Sequence, residues 1–152
     1  MSETMPPEFW QAVEQFNQGE FYACHDTLEA LWLEEIDPLR RFYQGILQIA
    51  VACYHLSHLN WRGAAVLLGE GMNRLRDYQP AYGGIEVTSL LGQSAVLLQQ
   101  LQALGPENVE NLRQQLQANP VGDKAIAFST APSKPQWPQI VLALESAPSD
   151  RD

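Results

Sequence analysis

His25 and Glu29 stand one helical turn apart, and Gln44, Gln48 and His55 repeat at helical spacing further along the chain. An imidazole and a carboxylate at i and i+4 share one helix face, within reach of a common proton, ligand or metal ion. Carboxamides do not ionise and are poor zinc ligands, yet each carries both donors and an acceptor. These residue types can do three kinds of work. They can fix helix register as a satisfied buried network, bind a small polar ligand, or move a proton. The candidate catalytic residues are therefore His25 and Glu29, and the wider candidate site is His25, Glu29, Trp32, Gln44, Gln48 and His55. Ser57, Ser89 and Ser94 lack nucleophile-elbow surroundings. No HExxH pattern and no second positioned carboxylate accompanies His25 and Glu29, so no metal and no cofactor is expected.

Helix geometry decides which of these side chains can meet. At about 100° per residue, with His25 at zero, Glu29 falls at about +40°, Trp32 at about −20° and Leu28 at about −60°. Asp26, at about +100°, is expected to turn toward solvent. With Gln44 at zero, Gln48 falls at about +40°, Val51 at about −20° and His55 at about +20°, a straight polar seam. If the two helices pack antiparallel about Asp37-Pro38, His25 lies level with Gln48 and Glu29 with Gln44, flanked by Trp32 and Tyr43. Burial of that cluster predicts that Glu29→Ala costs about 1–3 kcal/mol, because the change strands its partners.

The elements that must position these groups are legible from apolar periodicity. Pro6 and Pro7 start a first helix carrying Phe9, Trp10, Val13 and Phe16, and Asn17-Gln18-Gly19 ends it. A second helix is expected over about Glu20–Glu35. Asp37-Pro38 breaks it and starts a third, about Pro38–Leu59, with Asp37 as its cap. That third helix is the most apolar and should be central. Asn60 caps a fourth, about Trp61–Tyr78, whose Gly63, Gly69 and Gly71 suggest close approach of another helix backbone. Gln79-Pro80 and Gly83-Gly84 mark a loop before a fifth helix, about Val87–Leu104, and Pro106–Ala118 adds a short amphipathic one. Five of the ten prolines lie beyond Asn119, which reads as an extended tail with Trp137 as an anchor. Ile140–Leu144 is expected to dock as one turn or a short helix, and the last residues to be disordered. Trp10, Trp32 and Trp61 read as core anchors rather than as a cation-binding cage, and His58 as a surface residue near a helix end.

Bulk properties narrow the partners. The 152 residues include 18 acidic and 9 basic ones, a formal charge of −9, and the hydrophobic content is 45%. That balance repels phosphate backbones and anionic lipid, so neither nucleic acid nor membrane is an expected partner. Cys24 and Cys53 sit singly inside apolar helical patterns and read as buried reduced thiols. With no signal-peptide pattern at the N-terminus, a cytoplasmic location is expected.

Two blocks of the sequence resemble a known family. The run Asn17-Gln18-Gly19-Glu20-Phe21-Tyr22-Ala23-Cys24-His25-Asp26-Thr27-Leu28-Glu29-Ala30-Leu31-Trp32 is similar to the signature of the DUF309 family. The run from Arg41 to His55, with Gln44-Gly45-Ile46-Leu47-Gln48 at its centre, resembles that family's second block, and Asn60-Trp61-Arg62-Gly63-Ala64 its following turn. Asp26 stands where the family pattern more often has Glu. The resemblance implies a small all-α bundle of helical hairpins with no assigned activity, and its motif residues map onto His25, Glu29, Trp32, Gln44 and Gln48. The expectation is an all-α fold, a bundle of about five helices arranged as antiparallel hairpins, over 6–118, followed by a Pro-rich tail over 119–152. Its expected role is a binding or protein-interaction module, with a metal-assisted or acid–base hydrolase using His25 and Glu29 as the alternative. The expected partner is an unknown protein or a small polar molecule, with homo-oligomerisation left open.

Overall fold

The computed structural model describes residues 5–118 and 134–143. Among the described residues six α-helices follow one another: α1 (Pro7–Asn17), α2 (Phe21–Leu33), α3 (Leu39–Ser57), α4 (Trp61–Leu75), α5 (Val87–Leu104) and α6 (Val109–Ala118). The architecture is all-α. Among the described residues there is one small sheet, an antiparallel hairpin of β1 (Ala81–Tyr82) with β2 (Ile85–Glu86), formed where only a loop is expected from Gly83-Gly84. Both glycines take positive φ there, which closes the two-residue turn.

Local chemistry sets most boundaries. Proline opens α1, and Gly19 at φ 81° reverses the chain into α2. Asn60 accepts a hydrogen bond from the Gly63 N–H at 2.9 Å and so caps α4. Asp37 does not cap α3. The Asp37–Pro38 bond is cis, Pro38 itself takes the capping position, and no capping side chain accepts from the first N–H groups of the helix. Backbone contacts tie that turn instead, from the Arg40 N–H to the Ile36 carbonyl at 3.0 Å and from the Phe42 N–H to the Pro38 carbonyl at 3.3 Å.

Helix α3 is the central element, burying Phe42, Tyr43, Ile46, Ile49, Ala50, Cys53 and Leu56. It lies closest to α4, and Gly45 and Gly71 make that approach possible. A Cβ on Gly71 would stand 2.8 Å from the Gly45 carbonyl oxygen and 2.7 Å from Ile49 Cγ1. Gly69 has open space around it, so the expected close approach is made at Gly71 and not at every glycine of the helix. Cys24 and Cys53 are free and buried, and burial pushes both thiols up, that of Cys24 to about 12.

Residues 134–143 lie extended against the body. Trp137 is 9% exposed and its ring centroid is 5.1 Å from that of Phe21. Leu142 bridges to Ile85, so residues 140–143 add to the hairpin edge as extended chain rather than as the helical turn expected of them. Residues 119–133 and 144–152 of the expected tail lie outside the described residues. Among the described residues no helix is long and apolar enough to cross a membrane.

Candidate functional site

Helix α2 meets α3 through Cys24 and Leu28, both fully buried. His25 and Glu29 follow these residues in sequence and are therefore rotated about 100° away, onto the rim of the contact. The side chain of His25 is 25% exposed and that of Glu29 48% exposed. His25 finds its partner within its own helix. Its Nδ1 lies 3.2 Å from Asp26 Oδ1, and its Nε2 lies 4.0 Å from Glu29 Oε1.

The expected buried network between α2 and α3 is therefore corrected. Among the described residues no hydrogen bond joins His25 or Glu29 to Gln44 or Gln48. Gln48 turns the other way, toward α4. Its Nε2 donates to Glu70 Oε1 at 3.2 Å, and its Oε1 accepts from Arg74 Nη1 at 3.2 Å. His55 leaves the cluster as well, with Nδ1 3.3 Å from Asn60 Nδ2 at the α3–α4 turn. Tyr43 does not flank the site but is wholly buried beside Phe9 and Phe42. Burial, aided by the Glu35 carboxylate, pushes its phenol up to about 12.

The structure does bring four of the expected residues to one place. Glu29 and Trp32 from α2, Gln44 and Gln48 from α3, and the apolar side chains of Leu47, Val51 and Leu67 line an open groove of about 270 Å³. Its surface is mostly apolar. The outer face of Trp32 is not free for a cation, because the Arg40 guanidinium already sits 3.9 Å from the ring centroid. Arg40 is fixed there by its Nε, which donates to the Trp32 carbonyl at 3.1 Å. The indole N–H of Trp32 is buried and has no hydrogen-bond partner among the described residues. An unpaired buried donor costs about 1–3 kcal/mol, so this N–H weakens the packing around Trp32. Trp61, by contrast, is satisfied, donating to the Leu101 carbonyl at 2.8 Å.

Asp26 supplies a carboxylate beside His25 that the sequence does not reveal, and at 59% exposed it still turns toward solvent as expected. Ligating atoms of His25, Asp26 and Glu29 all lie within 4.8 Å of one another, and these are the residues that could hold a metal ion. In the tautomer that donates from Nδ1 to Asp26, the lone pair of His25 is on Nε2, beside Glu29, the arrangement of carboxylate–histidine pairs that orient a metal ligand. The face also carries aromatic rings. Tyr22 stands 5.7 Å from His25 and 5.4 Å from Tyr54, and Tyr54 4.3 Å from His58, centroid to centroid. His58 is exposed at the end of α3, its Nδ1 3.0 Å from the Tyr54 carbonyl. Glu70 and Arg74 were also missed; their only signal is an i,i+4 charge pair beside the small residues of α4.

Residues 9–67 match the model of a family described as a domain of unknown function, DUF309. The match runs from α1 into α4 and contains every residue that lines the groove. The family resembled by the two sequence motifs is thus the one the family model finds. An uncharacterised protein of Bacillus subtilis (strain 168), YpuF, is 34% identical over 75 residues. That alignment covers 49% of this chain and 41% of the relative, so the chain spans less than half of that protein's length. No solved structure matches.

Proposed function

We propose that this chain, whose residues 9–67 carry the DUF309 pattern, is a binding module whose site is the groove between α2, α3 and α4. One convergence supports the reading. Glu29, Trp32, Gln44 and Gln48, marked out by helical spacing, line a single cavity together with Leu47, Val51 and Leu67. Small-molecule sites are typically concave and mostly apolar, with a few placed polar groups that fix orientation. Here the apolar floor supplies contact area, and the carboxamides of Gln44 and Gln48 supply direction. The ligand is therefore small and largely apolar with a polar end, rather than polar throughout.

A fragment screen read by 15N-resolved NMR tests this. Weakly bound short-chain alcohols and amines are expected to shift the side-chain amides of Gln44 and Gln48 and the indole of Trp32. Val51→Trp, which fills the groove from its floor, should abolish those shifts in a protein whose other resonances are unchanged. Shifts that map to another face of the molecule would reject the assignment.

A metal-assisted or acid–base hydrolase using His25 and Glu29 is a second reading, favoured by the carboxylate of Asp26 on the imidazole Nδ1. It requires added Zn²⁺ to perturb the resonances of His25 and Glu29, and an activated ester to be cleaved at a rate lost in His25→Ala. If neither occurs, this reading falls while the groove stands.

A further inference from the structure

The groove carries one ionised side chain on its wall, the carboxylate of Glu29. Its nearest basic atom is His25 Nε2 at 4.0 Å, beyond hydrogen-bond distance, and the carboxylate is half exposed at the lip. Two arginines touch groove residues, each through a neutral partner, and neither forms an ion pair with Glu29. Arg40 is held to the Trp32 carbonyl and lies over its ring, and Arg74 donates to the Gln48 amide oxygen. Two further carboxylates reinforce the negative side: Asp26, which already faces His25, and Glu70, which accepts from Gln48. The whole chain carries a formal charge of −9. The floor of Leu47, Val51 and Leu67 has no charge at all.

Resting on the groove reading above, we propose that the ligand is an amphipathic organic cation, with its apolar body on Leu47, Val51 and Leu67 and its ammonium group on the Glu29 carboxylate. An ammonium donates to carboxylates and amide oxygens, and both acceptor types border the cavity. A carboxylate-bearing ligand would instead face Glu29 across a short, partly desolvated gap, where like charges repel. Arg74 is the competing feature. It donates one N–H to Gln48 and keeps its full charge, so a lead for hexanoate is the outcome it would produce.

Three probes of the same length separate these outcomes: hexylammonium, hexanol and hexanoate, each titrated at low salt into the full chain and followed by 15N NMR. Dissociation constants are expected to be roughly millimolar for ligands of this size. Hexylammonium should bind about fivefold tighter than hexanol, the size of one partly exposed charge contact, and hexanoate most weakly. Glu29→Gln should bring hexylammonium level with hexanol, and Glu29→Lys should invert the order so that hexanoate leads. Glu8→Gln in α1, away from the groove, should change nothing. Equal binding of hexylammonium and hexanol, or a preference for hexanoate, overturns the cation assignment and leaves the groove reading in place. If none of the three shifts a groove resonance, the groove reading itself fails and takes this inference with it.

Discussion

Side-chain amides do opposite work in two regions of this molecule. Where residues 134–143 dock, Asn17 and Gln93 each grip the backbone of that segment from both sides. Asn17 donates to the Ile140 carbonyl at 2.9 Å and accepts from the Ile140 N–H at 2.7 Å. Gln93 does the same for Gln139, with both contacts at 2.9 Å. Each amide stands in for a neighbouring strand and satisfies backbone groups that docking removes from water. Gln44 and Gln48 sit instead on the wall of an open groove, and Gln48 makes its 3.2 Å contacts to two charged side chains of α4. The first pair is occupied by the chain itself and acts on stability. The second borders free volume and acts on what enters it.

That contrast is most easily broken at the docked segment. Trp137→Ala removes a nearly buried indole from beside Phe21 and is expected to cost about 3 kcal/mol in urea unfolding. Asn17→Ala strands both the donor and the acceptor of Ile140 and is expected to cost about 2 kcal/mol. Unchanged unfolding midpoints for both variants would mean that the segment adds nothing to the fold, and the distinction between the two regions would disappear.

Gln48→Ala should cost less, about 0.5–1 kcal/mol, although it also removes two hydrogen bonds. The groups it frees, Glu70 and Arg74, lie at i and i+4 on α4 and can pair with each other across the gap. Nothing comparable is available to Ile140. A loss at Gln48 as large as that at Asn17 would place both amides in the same structural class.

The helices were legible because their signals are local and redundant: proline at the start of α1, Asn60 capping α4, and an apolar stripe along every helix. Sequence also identified four of the residues that line the groove, Glu29, Trp32, Gln44 and Gln48, but for a partly mistaken reason, and it added His25 and His55, which do not line it. Angular position shows that Glu29 and Gln44 lie near the α2–α3 seam, but it does not say on which side of the line of burial they fall. The packing of α2 on α3 decides that, just as Gly45 meeting Gly71 decides how closely α3 approaches α4, and no single helix encodes such tertiary contacts. The built polar network escaped notice for a different reason. Asn17 reads as a helix-ending residue, and its partner Ile140 lies more than a hundred positions away in sequence. The hairpin at Gly83-Gly84 was likewise read as a loop, since two-residue strands have too little alternation to register.

The smallest expected effect discriminates best. A buried α2–α3 network requires Glu29→Ala to cost about 1–3 kcal/mol, since its partners would be stranded. In the structure the carboxylate is 48% exposed and 4.0 Å from His25 Nε2, its one basic neighbour among the described residues, the geometry of a surface pair. Such pairs contribute little, so Glu29→Gln and Glu29→Ala should each leave stability within about 0.5 kcal/mol of wild type. The same substitutions remove the one charge on the groove wall and should alter ligand preference while the fold stays intact. A residue that governs selectivity without supporting the fold belongs to a site. If stability fell by as much as it does for Asn17→Ala, Glu29 would be a structural group like those holding the docked segment, and the groove would lose its one charged determinant.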